Sequence, residues 1–191
     1  AFGFRPGQLR NLESLRLFNF KFTSLEIRIP SELAFGQPAT RRIDGPLFRR
    51  LRDLAILSCH ELVELTCVGQ LPNLQRILVT QCGVTEVLLP DGDGLSRDGS
   101  SYFPQLRSMK LLGLPALRSI STRPLLFPSL ERLFVHGCPC LKQLPFGPGS
   151  AKNLREIRGK QAWWDELEWD NLPDGSSAKS EFHSYFKASE F

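Results

Sequence analysis

Five cysteines, three histidines and two glycine-rich loops are the places where this sequence could do chemistry. Thiolates serve as nucleophiles, redox partners and metal ligands, so the cysteines come first. Cys138 and Cys140 form a Cys-Pro-Cys pair, but no second close Cys or His pair completes a tetrahedral zinc site, and Cys67 stands in no recognisable spacing. His60, His136 and His183 lie far apart and lack the spacing that sets two imidazoles on one helix face. Residues 91–96, Asp-Gly-Asp-Gly-Leu-Ser, begin like a calcium loop and then fail, with Leu95 and Ser96 at positions five and six and Tyr102 at position twelve. Residues 147–152, Gly-Pro-Gly-Ser-Ala-Lys, lack the Gly-Lys-Ser/Thr ending of a phosphate loop, and Pro148 removes an N–H that a phosphate cradle would use. No spacing suggests a Ser-His-Asp triad. The expectation is a chain without enzymatic activity and with no catalytic, metal or cofactor site of its own.

The cysteines acquire another meaning from a repeat. The pattern Leu-x-x-Leu-x-Leu-x-x-Cys, or a close relative, runs through Leu12, Leu15, Leu17 and Phe20, then Leu51, Leu54, Ile56 and Cys59, then Leu74, Ile77, Val79 and Cys82. It continues through Leu106, Met109, Leu111 and Leu114, then Leu130, Leu133, Val135 and Cys138, and a sixth copy keeps Leu154 and Ile157 but has Gly159 at the third apolar position. Most spacings fall within the roughly 20–29-residue period of a leucine-rich repeat. The two long ones coincide with Pro- and Gly-containing stretches near 29–46 and 90–101, which read as insertions; Leu25 and Ile27 leave an extra repeat open as the alternative for the first.

Each Leu-x-Leu alternates as a short half-buried strand should, and a second apolar pair follows at three-residue spacing, as in Leu62/Leu65, Val84/Val87, Leu117/Ile120 and Leu141/Leu144. Phe103-Pro104 and Phe127-Pro128 repeat an aromatic lead-in that plugs the gap between coils. One coil cannot bury its own apolar face, whereas stacked coils build a continuous core. The predicted fold is therefore an α/β leucine-rich-repeat solenoid, a horseshoe with a parallel concave β-sheet, an irregular convex side and a C-terminal cap. Residues 1–158 form about six coils, and residues 159–191 form a Trp-rich cap and tail. Cys59, Cys82 and Cys138 share one register and read as buried structural thiols where the strand turns away. Trp163, Trp164 and Trp169 cover the last coil.

Composition agrees with a globular segment. The 191 residues are 41% hydrophobic and 23% charged, which excludes a disordered tail. The longest apolar run, residues 111–117, is interrupted by Gly113 and Pro115, so no membrane span is predicted. A net charge of +4 without clustered cations and interleaved aromatics does not mark a nucleic-acid binder. No secretory signal and no Asn-x-Ser/Thr sequon is present, and the chain starts at Ala1 without Met, which reads as a piece of a longer intracellular parent.

Residues 127–146, Phe-Pro-Ser-Leu-Glu-Arg-Leu-Phe-Val-His-Gly-Cys-Pro-Cys-Leu-Lys-Gln-Leu-Pro-Phe, resemble the closing repeats of plant NLR immune receptors of the coiled-coil class. So do residues 151–159 and the Trp-Trp-Asp-x-Leu-x-Trp that follows. The resemblance implies a cytoplasmic disease-resistance protein whose coiled coil and ATP/ADP-binding switch lie outside this segment. It further implies that the segment senses a pathogen effector or guarded host protein, restrains the nucleotide-binding domain of the same chain, and belongs to a parent that forms a homo-oligomer on activation. The runner-up is the substrate-recruiting leucine-rich repeat of an F-box ubiquitin-ligase adaptor, whose repeats also place Cys after the strand.

Strand positions three, five and seven should face the concave side. There Leu57, Leu78, Leu112 and Phe134 form an apolar patch bordered by Arg76, Lys110, Arg132 and Arg158, with His136 beside them. An apolar patch rimmed by charge is the expected partner-binding surface.

Overall fold

The alternation of apolar and polar residues opens each coil with a strand that buries one face and leaves the other free. In the computed structural model, which describes residues 11–21, 24–26, 48–66, 68, 71–84, 87–89, 103–121, 124–169 and 178–190, these strands are β1 (Ser14–Phe18), β3 (Asp53–Leu57), β5 (Arg76–Thr80), β7 (Ser108–Leu112), β9 (Arg132–His136) and β10 (Glu156–Gly159). With β11 (Phe186–Ala188) they make one seven-stranded sheet in the order β1-β3-β5-β7-β9-β10-β11, every neighbouring pair parallel. The register is uniform from coil to coil, Leu15 against Leu54, Leu54 against Ile77, Ile77 against Met109 and Met109 against Leu133. The chain is thus a leucine-rich-repeat solenoid, an open parallel sheet with few helices.

The opposite wall is more regular than the sequence suggests. Short strands β2 (Ser24–Glu26) and β4 (Glu64–Thr66) pair in parallel, as do β6 (Val87–Leu89) and β8 (Ser119–Ser121). Leu25 therefore lies in the second strand of the first coil, and the first two coils are neighbours in both sheets, β1 on β3 and β2 on β4. The stretches 29–46 and 90–101 and residue Cys67 lie outside the described residues.

Between the walls runs a continuous apolar core. Leu51, Leu54, Ile56, Leu62, Leu65, Leu74, Val79, Leu106, Leu111, Leu117 and Leu141 are all buried. Each such side chain contributes about 1.5–3 kcal/mol relative to an exposed one, which is why stacking decides stability. Phe103 and Phe127 stack with centroids 6.0 Å apart, Phe127 meets Phe146 edge-on at 5.6 Å, and Phe146 stacks on Phe182 at 5.0 Å. The aromatic lead-ins thus join into a spine that reaches the C-terminal segment.

Backbone polar groups are satisfied by ladders between coils. Past each strand the N–H groups of Asn19, Ser58, Gln81 and Gly113 donate to the carbonyls of Leu57, Thr80, Leu112 and His136 in the next coil. These four residues and Gly137 have φ between 52° and 65°, in the left-handed region. A side-chain ladder runs on the other edge, where Asn73 donates to the Arg49 carbonyl, Ser129 to that of Pro104 and Asn153 to that of Pro128.

The C-terminal end of the core is closed by aromatics. Helix α1 (Gln161–Asp165) follows β10 and turns Trp164 fully inside, stacked on Phe186 at 4.4 Å and edge-on to Trp169 at 5.3 Å. Trp163 donates from Nε1 to the Leu141 carbonyl at 2.9 Å. Gly159, where the repeat wants an aliphatic side chain, is covered by Trp163 instead, and a Cβ there would sit 2.6 Å from Cζ3 of the indole. The tail forms α2 (Ala178–His183), with Phe182 buried and Glu181 accepting from the Gly149 N–H, and then β11, the seventh strand of the sheet.

Candidate functional site: the open face of the large sheet

A parallel sheet is ordinarily covered on both faces. Here positions four and six of each strand point into the core and positions three, five and seven stay at least partly exposed, giving burial that alternates along β3, β5, β7 and β9. Uniform register sorts the outward side chains into columns across the strands.

The column at position three holds Ser14, Asp53, Arg76, Ser108, Arg132 and Glu156. Arg76 clasps Asp53 with both ends of its guanidinium, Nη2 lying 2.6 Å from Oδ2 and Nε on Oδ1. That bond holds the Asp53 carboxyl below its ordinary range against a smaller opposing effect of burial, with Arg16 and Arg52 adding to it. At the other end Glu156 accepts from Arg158 at 2.7 Å and pairs with Lys187 at 3.4 Å. Partial burial pushes the Glu156 carboxyl up, but the two cations together outweigh it and leave it lowered.

The column at position five reads Arg16, Ala55, Leu78, Lys110, Phe134, Arg158 and Lys187. Lys110 Nζ sits 5.0 Å from the centre of the Phe134 ring and the Arg158 guanidinium 5.7 Å from it, so one aromatic lies between two cations from adjacent coils. Columns three and five carry Arg16, Arg76, Lys110, Arg132, Arg158 and Lys187 against Asp53 and Glu156, a net charge equal to the +4 of the whole chain. Both carboxylates are already paired within the face. Around Ala55 the small side chain leaves a depression of about 400 Å³ walled by Arg16, Asp53, Arg76, Leu78 and Lys110.

Position seven supplies Phe18, Leu57, Thr80, Leu112 and His136. Phe18 is 66% exposed at the sheet edge. Leu57, Leu112 and His136 are half-buried, and His136 Nδ1 is shielded from solvent without a hydrogen-bond partner. Of the residues singled out from sequence, Leu78 and Phe134 share a column with Lys110 between them, Leu57 and Leu112 lie in the next column, and the four alternate between the two columns from β3 to β9. Arg76, Lys110, Arg132 and Arg158 are exposed alongside it. Arg16, Asp53, Glu156 and Lys187 complete the face and were not singled out. Strand register could have shown the first three; Lys187 needed the tail strand, which nothing in the repeat announces.

The thiols lie behind this face. Cys82 Sγ lies 3.2 Å from the Thr80 carbonyl and 3.7 Å from that of Ile56 in the preceding coil, and Cys138 reaches the His136 and Leu111 carbonyls in the same way. Cys59 donates to the Leu57 carbonyl. All three are buried and free, and burial pushes Cys82 and Cys138 up to about 11, so they persist as inert thiols. Cys140 is exposed. Among the described residues no group of three or more His, Cys, Asp or Glu could hold a metal ion, and no helix is long and apolar enough to cross a membrane.

A stack of coils in uniform register, with one face of the large sheet uncovered among the described residues, defines a leucine-rich-repeat solenoid. The chain belongs to the leucine-rich-repeat family described as plant disease resistance protein RPS2-like, which matches residues 23–159. It is similar to the disease resistance protein SUMM2 of Arabidopsis thaliana, at 31% identity over 72% of this chain and 15% of the relative. It is also similar to the Arabidopsis thaliana disease resistance protein UNI, at 28% identity over 85% of this chain and 19% of the relative. The chain therefore spans less than a fifth of these relatives' length. No solved structure matches it significantly. The family does not favour the F-box adaptor alternative.

Proposed function

We propose that this segment is the recognition and restraint arm of a plant immune receptor. Its open sheet face contacts a pathogen effector or a guarded host protein, and in the resting receptor it holds a nucleotide-binding switch that lies elsewhere in the parent. The ATP/ADP site, the oligomerisation that follows activation and the signalling output belong to that switch, and the receptor works in the cytoplasm. The segment itself binds and does no catalysis.

One observation carries this reading. Among the described residues, six cations against two paired carboxylates gather on the open face of the large sheet, around the half-buried Phe134. Charge at the rim of an apolar anchor gives orientation and association rate, while the anchor supplies affinity. The test is association in trans between this chain and the nucleotide-binding portion of the same receptor, separately expressed. Phe134→Asp and Lys110→Glu should each weaken that association at unchanged thermal stability. Undiminished association of the folded double variant would contradict a restraint contact on this face.

A further inference from the structure

The position-five column has a polarity of its own. From the first coil it presents a cation at Arg16, then the hollow over Ala55 and Leu78, then a second cation at Lys110. Asp53 beside the hollow does not repel an anion, because Arg76 already holds its carboxylate in a two-point clasp. Arg16 and Lys110 both stand exposed on the wall of the depression, and among the described residues neither is held in an ion pair.

From these features we infer that the hollow is a docking site for an extended acidic segment of a protein partner, with an aliphatic side chain in the depression and a carboxylate on each side. This rests on the reading that the open face is the contact surface and adds what chemistry it selects. Arg16 and Lys110 are separated by three strand spacings of about 4.8 Å, close to the span of four residues of extended chain at about 3.4 Å each. In such a chain residues i, i+2 and i+4 share a side, so the complementary pattern is Glu-x-Leu-x-Glu running across the strands. Nucleic acid fits less well. Its backbone would meet the floor of Ala55 and Leu78 where a phosphate needs a donor.

The probe is a fluorescein-labelled eleven-residue peptide with one Glu-x-Leu-x-Glu core in a Gly/Ser frame, followed by anisotropy at low and at physiological salt. Wild-type chain should bind it, and replacing both Glu by Gln or the Leu by Ser should weaken binding at least roughly tenfold. Arg16→Glu with Lys110→Glu should abolish binding, and Ala55→Leu should remove the advantage of Leu over Ser by filling the hollow. Lys152→Glu, away from the sheet, should change nothing. Equal affinity for the Gln peptide, or for a single-stranded oligonucleotide of the same charge, would overturn the inference. If the peptide fails while Phe134→Asp still disrupts association in trans, the face is right and its chemistry wrong; if both fail, the face itself is wrong.

Discussion

The indole of Trp163 fills the space that a side chain on Gly159 would need, 2.6 Å from where its Cβ would stand. The sixth repeat thus loses its third aliphatic residue so that the cap can enter the core, and the Trp163 N–H fixes the ring on the Leu141 carbonyl. Gly159→Leu restores the repeat on paper and should expel the indole. The expected outcome is a loss of about 2–3 kcal/mol in urea unfolding with red-shifted tryptophan emission, since overpacking forces both side chain and backbone to move. Unchanged stability and emission would show that the cap is not seated there.

The buried thiols set a pH limit. Cys82 and Cys138 rise from an ordinary value of 9.0 to about 11 when folded. Between those values the unfolded chain has lost protons that the folded chain keeps, so raising the pH favours unfolding. Their contribution is whole below about pH 9 and gone by about pH 11, worth up to roughly 3 kcal/mol per thiol at about 1.4 kcal/mol per unit. Denaturant titrations from pH 8 to 11 should show falling stability, with a shallower slope in a Cys82→Ala/Cys138→Ala variant. An identical slope would assign the effect to other groups. At pH 8 a thiol reagent mapped by mass spectrometry should modify exposed Cys140 well before Cys59, Cys82 or Cys138.

The turn after β1, β3, β5, β7 and β9 imposes a left-handed residue, which two of those five coils fill with glycine. Gly137 has φ 65° and a Cβ there would lie 3.2 Å from Cα of Gly113 in the preceding coil. Gly137→Val should cost about 2 kcal/mol or more, because a branched side chain pays both the left-handed penalty and the crowding. Gln81→Gly, at φ 52° in the same register, should stay within about 1 kcal/mol of wild type, relief of strain offsetting the lost Ser58 Oγ contact and the greater freedom of the unfolded chain. Equal damage from both substitutions in thermal unfolding would refute the shared geometry.

These cases show what sequence makes legible. Leu-x-x-Leu-x-Leu reveals the strands because burial itself repeats, and in-register stacking then sorts residues such as Lys110, Phe134 and Arg158 into neighbours. The left-handed turn is hidden because Asn19, Ser58 and Gln81 occupy it as readily as Gly113 and Gly137 do, their N–H groups being repaid by the next coil. Gly159 reads as a fading repeat until Trp163 is seen in its place. Phe186–Ala188 is too short to announce a strand, and it becomes one only against the free edge of β10. Asp53 and Glu156 look like ordinary surface acids until their register puts cations beside them.

In the open face, one comparison decides whether the surface around Phe134 is functional. Leaf cell death should be scored for the complete receptor carrying Phe134→Asp, against the same receptor carrying Lys152→Glu on an exposed turn away from the sheet. If the face recognises and restrains, Phe134→Asp changes the response, either to constant activity or to none, at wild-type protein level, and Lys152→Glu leaves it as it was. Two receptors that both respond like wild type would contradict that role.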